Sequence, residues 1–124
     1  MKSDKLNDFY QLSDTNQPVK LTVDICYGHN AVSKLLLNQH IVQGQERDGS
    51  FVRNFEKVLG TNAELKNKRL QLTTLVLHTL KSDDRTCIIL SLKGGTEQYS
   101  RKLESVVPEL GGVVKYTVSI LFCG

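Results

Sequence analysis

Two segments of this 124-residue chain alternate apolar and polar side chains without interruption. In the first, Val19, Leu21, Val23 and Ile25 interleave with Lys20, Thr22, Asp24 and Cys26; in the second, Val114, Tyr116, Val118, Ile120 and Phe122 interleave with Lys115, Thr117, Ser119 and Leu121. Successive side chains of a strand point to opposite faces, so period two describes a sheet with one face in a core and one face outside. A helix built on the same pattern would scatter its apolar residues around the axis.

Weaker β signals fill the interval. Residues 34–43 hold Leu35, Leu36, Leu37, Ile41 and Val42 and read as a strand buried on both faces or as the start of a short helix capped by Asn30, with the strand preferred. A long signal runs from Leu65 through Leu70, Leu72, Thr74, Val76 and His78 to Leu80, and Thr86 to Lys93 returns as an apolar run. The polar turn at 81–85 between them predicts a hairpin. Residues 97–107, which precede Pro108, read as extended, while Gly94-Gly95 and Gly111-Gly112 read as turns and Asp48-Gly49 as a hairpin-type turn. Residues 51–59 carry opposed signals. Phe51, Val52, Phe55, Val58 and Leu59 share a helical face between Ser50 and Gly60, yet their Phe and Val content and the flanking strands favour a sheet. A short helix at 51–59 therefore stays open.

About seven strands with regularly spaced turn signals predict an all-β protein: an antiparallel β-sandwich, immunoglobulin-like or related, over residues 18–124. The connections are too short for parallel crossovers, and the absence of Trp rules out an antibody-type core. Residues 1–17 read as a polar, flexible arm, in which Leu6, Phe9 and Tyr10 at i, i+3, i+4 spacing could form one docking turn of helix.

Charge and cysteine usage bound the function. Sixteen Lys and Arg against 13 Asp and Glu give a net charge of +3, and aromatics are 6% of the chain. Both argue against a dedicated nucleic-acid binder, which needs a concentrated basic face and stacking platforms. The densest cationic cluster is Lys66, Lys68 and Arg69. No apolar run is long enough for a membrane-spanning helix, and no leader-like segment follows Met1, which suggests a cytoplasmic protein. Cys26, Cys87 and Cys123 are odd in number and widely spaced, so no disulfide framework is expected, and Cys26 and Cys87 read as small buried hydrophobes.

Cys26 with His29 is only a fragment of a zinc site, and Asp83 with Asp84 only a fragment of a calcium site, so no metal or cofactor is expected. Asp24, Cys26 and His78 can be written down as a triad, but no nucleophile elbow supports them. His78, in phase with Val76 and Leu80, reads as a core histidine satisfied by the backbone. The expected function is thus a noncatalytic protein-interaction or assembly module acting through its surfaces. Its partner would be another protein or a second copy, with Phe9, Tyr10, Lys66, Lys68 and Arg69 as interaction candidates. The alternatives are a small-ligand, calcium or membrane-surface binder using the loop tips at 28–30, Asp48-Gly49 and Asp83-Asp84, and lastly a cysteine-dependent hydrolase.

Overall fold

The computed structural model describes residues 2–44, 49–79 and 84–124. Among them the chain forms β1 (Lys2–Gln11), β2 (Pro18–Ile25), β3 (Asn30–Leu37), β4 (His40–Ile41), β5 (Ser50–Val52), β6 (Phe55–Thr61), α1 (Asn62–Leu65), β7 (Arg69–Leu77), β8 (Arg85–Lys93), β9 (Tyr99–Val106) and β10 (Val113–Cys123). The strands build two packed sheets, and the all-β sandwich expected from period two is what the chain adopts. One sheet has the order β1-β10-β7-β3-β4, with β5 also paired to β3; the other has the order β6-β2-β8-β9. The β1–β10 pair is parallel. The other pairs are antiparallel.

The alternating residues meet between the sheets. Val19, Leu21 and Val23 of β2 and Ile88, Leu90 and Leu92 of β8 close on Leu70, Leu72 and Val76 of β7 and on every second residue of β10 from Val114 to Phe122. Each fully buried side chain of this kind contributes roughly 1.5–3 kcal/mol, so these four central strands dominate the stability. The Tyr116 hydroxyl of β10 donates to the Thr86 carbonyl of β8 at 3.0 Å and lies 2.8 Å from the Thr86 hydroxyl. That bond crosses from one sheet to the other and leaves the buried phenol satisfied.

The described residues hold ten strands where about seven were expected, and each addition has a local cause. Residues 34–43 divide into β3 and β4 because Asn38 and Gln39 both take positive φ, 51° and 69°, the conformation a tight two-residue hairpin requires. The helix left open at 51–59 does not form: the segment is β5 and β6. Arg53, with φ of 59°, turns the chain between them and resets the alternation. Phe51 and Phe55 consequently both point inward and stack at 4.2 Å, which imitates helical i, i+4 spacing. A one-turn helix forms just beyond, at α1. Thr61 Oγ1 accepts from the Glu64 N–H and Glu64 Oε1 accepts from the Thr61 N–H, a reciprocal cap. Asn62 behind it is buried and binds Ser13 N, Gln17 O and Gly94 O, each at 2.8 Å.

Three further expectations are corrected. Residues 2–11, read as a flexible arm with a helical turn, are β1, in register with β10 over its whole length. An edge strand needs only part of its inner side to be apolar, so Leu6 and Tyr10 suffice and the alternation is masked by Asp4 and Asp8. The hairpin expected between the two long β signals does not exist, because β7 and β8 belong to different sheets. Each is already paired on both edges, β7 by β10 and β3, β8 by β2 and β9. Leu80 and most of the intervening turn lie outside the described residues. Finally, Cys26 and Cys87, expected to be unpaired, form a disulfide. Ile25 sits opposite Ile88 in the β2–β8 register, and one more step brings Cys26 opposite Cys87 with the Cα atoms 5.0 Å apart. The partners are 61 residues apart in the chain, so no local spacing announces the bond.

Candidate functional site

Directly paired residues project to the same side of a sheet, so the registers assign both outer faces. On the six-stranded sheet one row across the strands is Val52, Val32, Leu75 and Lys115; the next is Lys34, Thr73, Thr117 and Lys5; the next is Ile41, Leu36, Gln71 and Ser119. A further row carries Arg69, Leu121 and Phe9.

Where β3, β4 and β7 meet, this face is recessed. Val32, Leu36, Ile41 and Leu75 form the apolar lining of an open groove of about 330 Å³, with Lys34, Gln71 and Thr73 as its polar members. The cause is local: β4 is only two residues long and stands at the edge of the sheet as described, and Ile41 is 64% exposed. Isolated apolar residues are ordinary on a surface, but several converging on one concavity are the usual mark of a binding site.

Among the described strand residues the charges on this face have one sign. Lys5, Lys34, Arg69 and Lys115 project from it, and among the described strand residues of the same face there is no Asp or Glu. The carboxylates of β1 belong to the opposite side: Asp4 pairs with Tyr116 and Asp8 with Ile120, both core residues. Arg69 donates to Ser119 Oγ at 2.7 Å and gains no counter-ion by doing so.

The outer face of the four-stranded sheet is different. Lys20 lies 3.5 Å from Glu56, and Lys102 lies 2.9 Å from Glu104. The Lys102 ammonium holds the Glu104 carboxyl below its ordinary value, and the carboxylate raises Lys102 in return. Tyr27, with φ of 63°, folds at the end of β2 so that its ring lies 4.5 Å under the Arg85 guanidinium and its hydroxyl 3.4 Å from Glu104. Cys87 is fully buried near this corner.

At one side the two sheets are tied through β1 and β9. Tyr99 donates to Asp8 Oδ2 at 2.7 Å, Arg101 Nε donates to the same oxygen at 3.2 Å, and the guanidinium stacks 4.3 Å over the Tyr99 ring. Burial pushes the Asp8 carboxyl up, but the bonds from Tyr99 and the Phe9 N–H and the charge of Arg101 outweigh it and leave it below its ordinary value. Burial and the neighbouring Asp8 carboxylate together push the Tyr99 phenol well up.

The expected interaction residues are scattered by this architecture. Phe9 is 64% exposed and stands on the outer face beside Leu121, but Tyr10 is a core residue that donates to Glu97 O at 2.8 Å and accepts from Gly95 N. Lys66 and Lys68 sit in the turn between α1 and β7, and of that cluster Arg69 alone reaches the outer face. The groove is not legible as a group because Leu75 is far from Val32, Leu36 and Ile41 in sequence and joins them only through the β3–β7 register. Asp24, Cys26 and His78 do not form a triad, since the Cys26 sulfur is bonded to Cys87. His78 Nδ1 donates to Glu109 O at 3.0 Å, and its ring meets His29 edge-on at 5.2 Å. His29 accepts from Thr79 N at Nδ1 and so donates from Nε2 to Arg85 O. Among the described residues no group of three or more His, Cys, Asp or Glu gathers around a common point. Asp48 and Asp83, named for the ligand-binding alternative, lie outside the described residues, and no described helix is long and apolar enough to cross a membrane.

The fold and the site thus define an all-β sandwich with one recessed apolar outer face. Comparison with protein-family models, with curated proteins and with solved structures finds no match to the chain.

Proposed function

We propose that this chain is a noncatalytic protein-interaction module whose working surface is the outer face of the six-stranded sheet. The groove lined by Val32, Leu36, Ile41 and Leu75 carries this reading. Leaving such a concavity open to water costs roughly 25 cal/mol for each Å² of apolar surface that a partner would cover, and rigid strands hold it ready without further ordering. The partner is another protein. Its alternating side chains can enter the groove while its polar groups meet Gln71 and Thr73.

Panning a random peptide display against the immobilised chain tests the assignment. Recovered peptides should lose binding to the Ile41→Lys variant and keep it to Val58→Lys, which changes an equally open position on the other sheet. Peptides that bind both variants equally would remove the groove from the function, and sedimentation of the free chain over a range of concentrations reads out self-association as the competing outcome.

The Cys26–Cys87 bond supports placing the module in an oxidising compartment, in place of the cytoplasm expected when the cysteines were read as unpaired. Thiol labelling of protein isolated without reductant should find Cys123 alone reactive. Labelling of all three cysteines would return the cytoplasmic reading.

A further inference from the structure

We infer that the partner segment recognised by the groove is acidic, with carboxylates alternating with apolar side chains along an extended strand. This deepens the proposed function and rests on it. The argument is charge complementarity. Lys34 stands inside the groove, between Val32 and Leu36 on the same side of β3. Lys115 lies two strands away, beyond Leu75, and Lys5 lies diagonally beside Lys115 on β1. With strands about 4.8 Å apart and same-side residues about 6.8 Å apart, Lys34 and Lys115 are roughly 12 Å from each other at the backbone. Long side chains can close much of that distance over a bound segment.

None of Lys5, Lys34 and Lys115 has a carboxylate partner among the described residues, in contrast to Lys20 and Lys102 on the other sheet. Cations left unpaired around an apolar recess favour carboxylates whose own stems are apolar, and they repel basic segments. An extended acidic strand supplies this chemistry with the two-residue period of the face itself. A lipid surface fits less well, because the apolar residues line a recess and a bilayer is entered by apolar residues that project. Single-stranded nucleic acid needs aromatic platforms, and Phe9 is the one aromatic ring on this face among the described residues.

The test uses the intact chain and a short fluorescein-labelled peptide alternating Glu with Val or Leu, read by anisotropy, beside the same peptide with Gln or Lys in place of Glu. The Glu peptide should bind, the Lys peptide should not, and raising salt from about 50 to about 500 mM should weaken binding by tenfold or more. Lys34→Glu combined with Lys115→Glu should also weaken it about tenfold or more. Both positions are exposed, and circular dichroism checks that the variants fold. If the Gln or Lys peptide binds as tightly as the Glu peptide while Ile41→Lys still abolishes binding, the acidic partner is wrong and the groove stands. If no peptide binds, or Ile41→Lys changes nothing, both readings fall. Anionic vesicles or a single-stranded RNA oligonucleotide binding more tightly than the Glu peptide would overturn the inference in favour of that ligand.

Discussion

The two outer faces of this sandwich are made by the same rule and finished differently. On the four-stranded sheet, outward positions pair Lys20 with Glu56 and Lys102 with Glu104, and the Cys26–Cys87 bond locks two neighbouring strands together. On the six-stranded sheet, outward positions bring together Val32, Leu36, Ile41 and Leu75, and the cations around them have no counter-ions among the described residues. One face is complete in water. The other leaves an apolar recess open to water. Identical backbone geometry thus supports an ion-paired wall and a recessed apolar one, and the side chains at every second position decide which is which.

The largest expected difference between the faces comes from the cross-link. Closing a loop of about 60 residues constrains the unfolded chain by roughly 4 kcal/mol, so replacing both Cys26 and Cys87 by Ala should lower stability by that order. In thermal unfolding the shift should be on the order of 15 °C, and reductant should reproduce it in the unmodified chain. A melting temperature insensitive to both would mean that the two sheets are equally self-sufficient.

A smaller effect belongs to the side where the faces are tied together. Asp8→Asn should cost about 1–2 kcal/mol, allowing for solvent at this edge, because the Tyr99 and Arg101 bonds lose their charged acceptor. The carboxyl lies lower in the folded chain than in the unfolded one, so its contribution is present above the ordinary aspartate range near pH 4. It disappears as pH falls through the folded value. Denaturant midpoints measured from pH 7 down to pH 3 should therefore fall more steeply for the unmodified chain than for Asp8→Asn. Parallel curves would show that the β1–β9 tie is electrostatically idle.

The smallest effect on stability is the sharpest on the comparison. Ile41→Lys and Val58→Lys each place an ammonium at an open strand position and should shift unfolding by no more than about 0.5 kcal/mol. Only the first should alter binding. A large stability loss on Ile41→Lys would mean that the groove is part of the core.

How much of this was legible in the sequence follows from what depends on neighbours. Period two in β2 and β10 needs no partner to be read, because half of each strand faces the core and half faces outward. The β7 and β8 signals are equally clear, yet the hairpin they suggest does not form, since sheet membership is decided by competition among strands far apart in the chain. The disulfide and the groove share that cause: Cys26 meets Cys87, Ile41 meets Leu36, and Leu75 meets Val32, only through register. β1 escaped notice for a different reason. An edge strand can carry Asp4 and Asp8 on its inner side where they reach the rim of the sandwich, which blurs the pattern. The α1 cap at Thr61 and Glu64, by contrast, is a local spacing that needs no partner strand.

The parallel pairing of β1 with β10 has a mechanical consequence. Lys2 lies beside Val114 and Gln11 beside Cys123, so the chain enters at one end of this ladder and leaves at the other. Tension between the two termini pulls the paired strands in opposite directions along their length and loads all ten rungs together. A hairpin pulled at its open end instead gives way one rung at a time. Single-molecule extension between the termini should meet far higher force than extension between Gln11 and Gly124, where the same strands are peeled apart from one end.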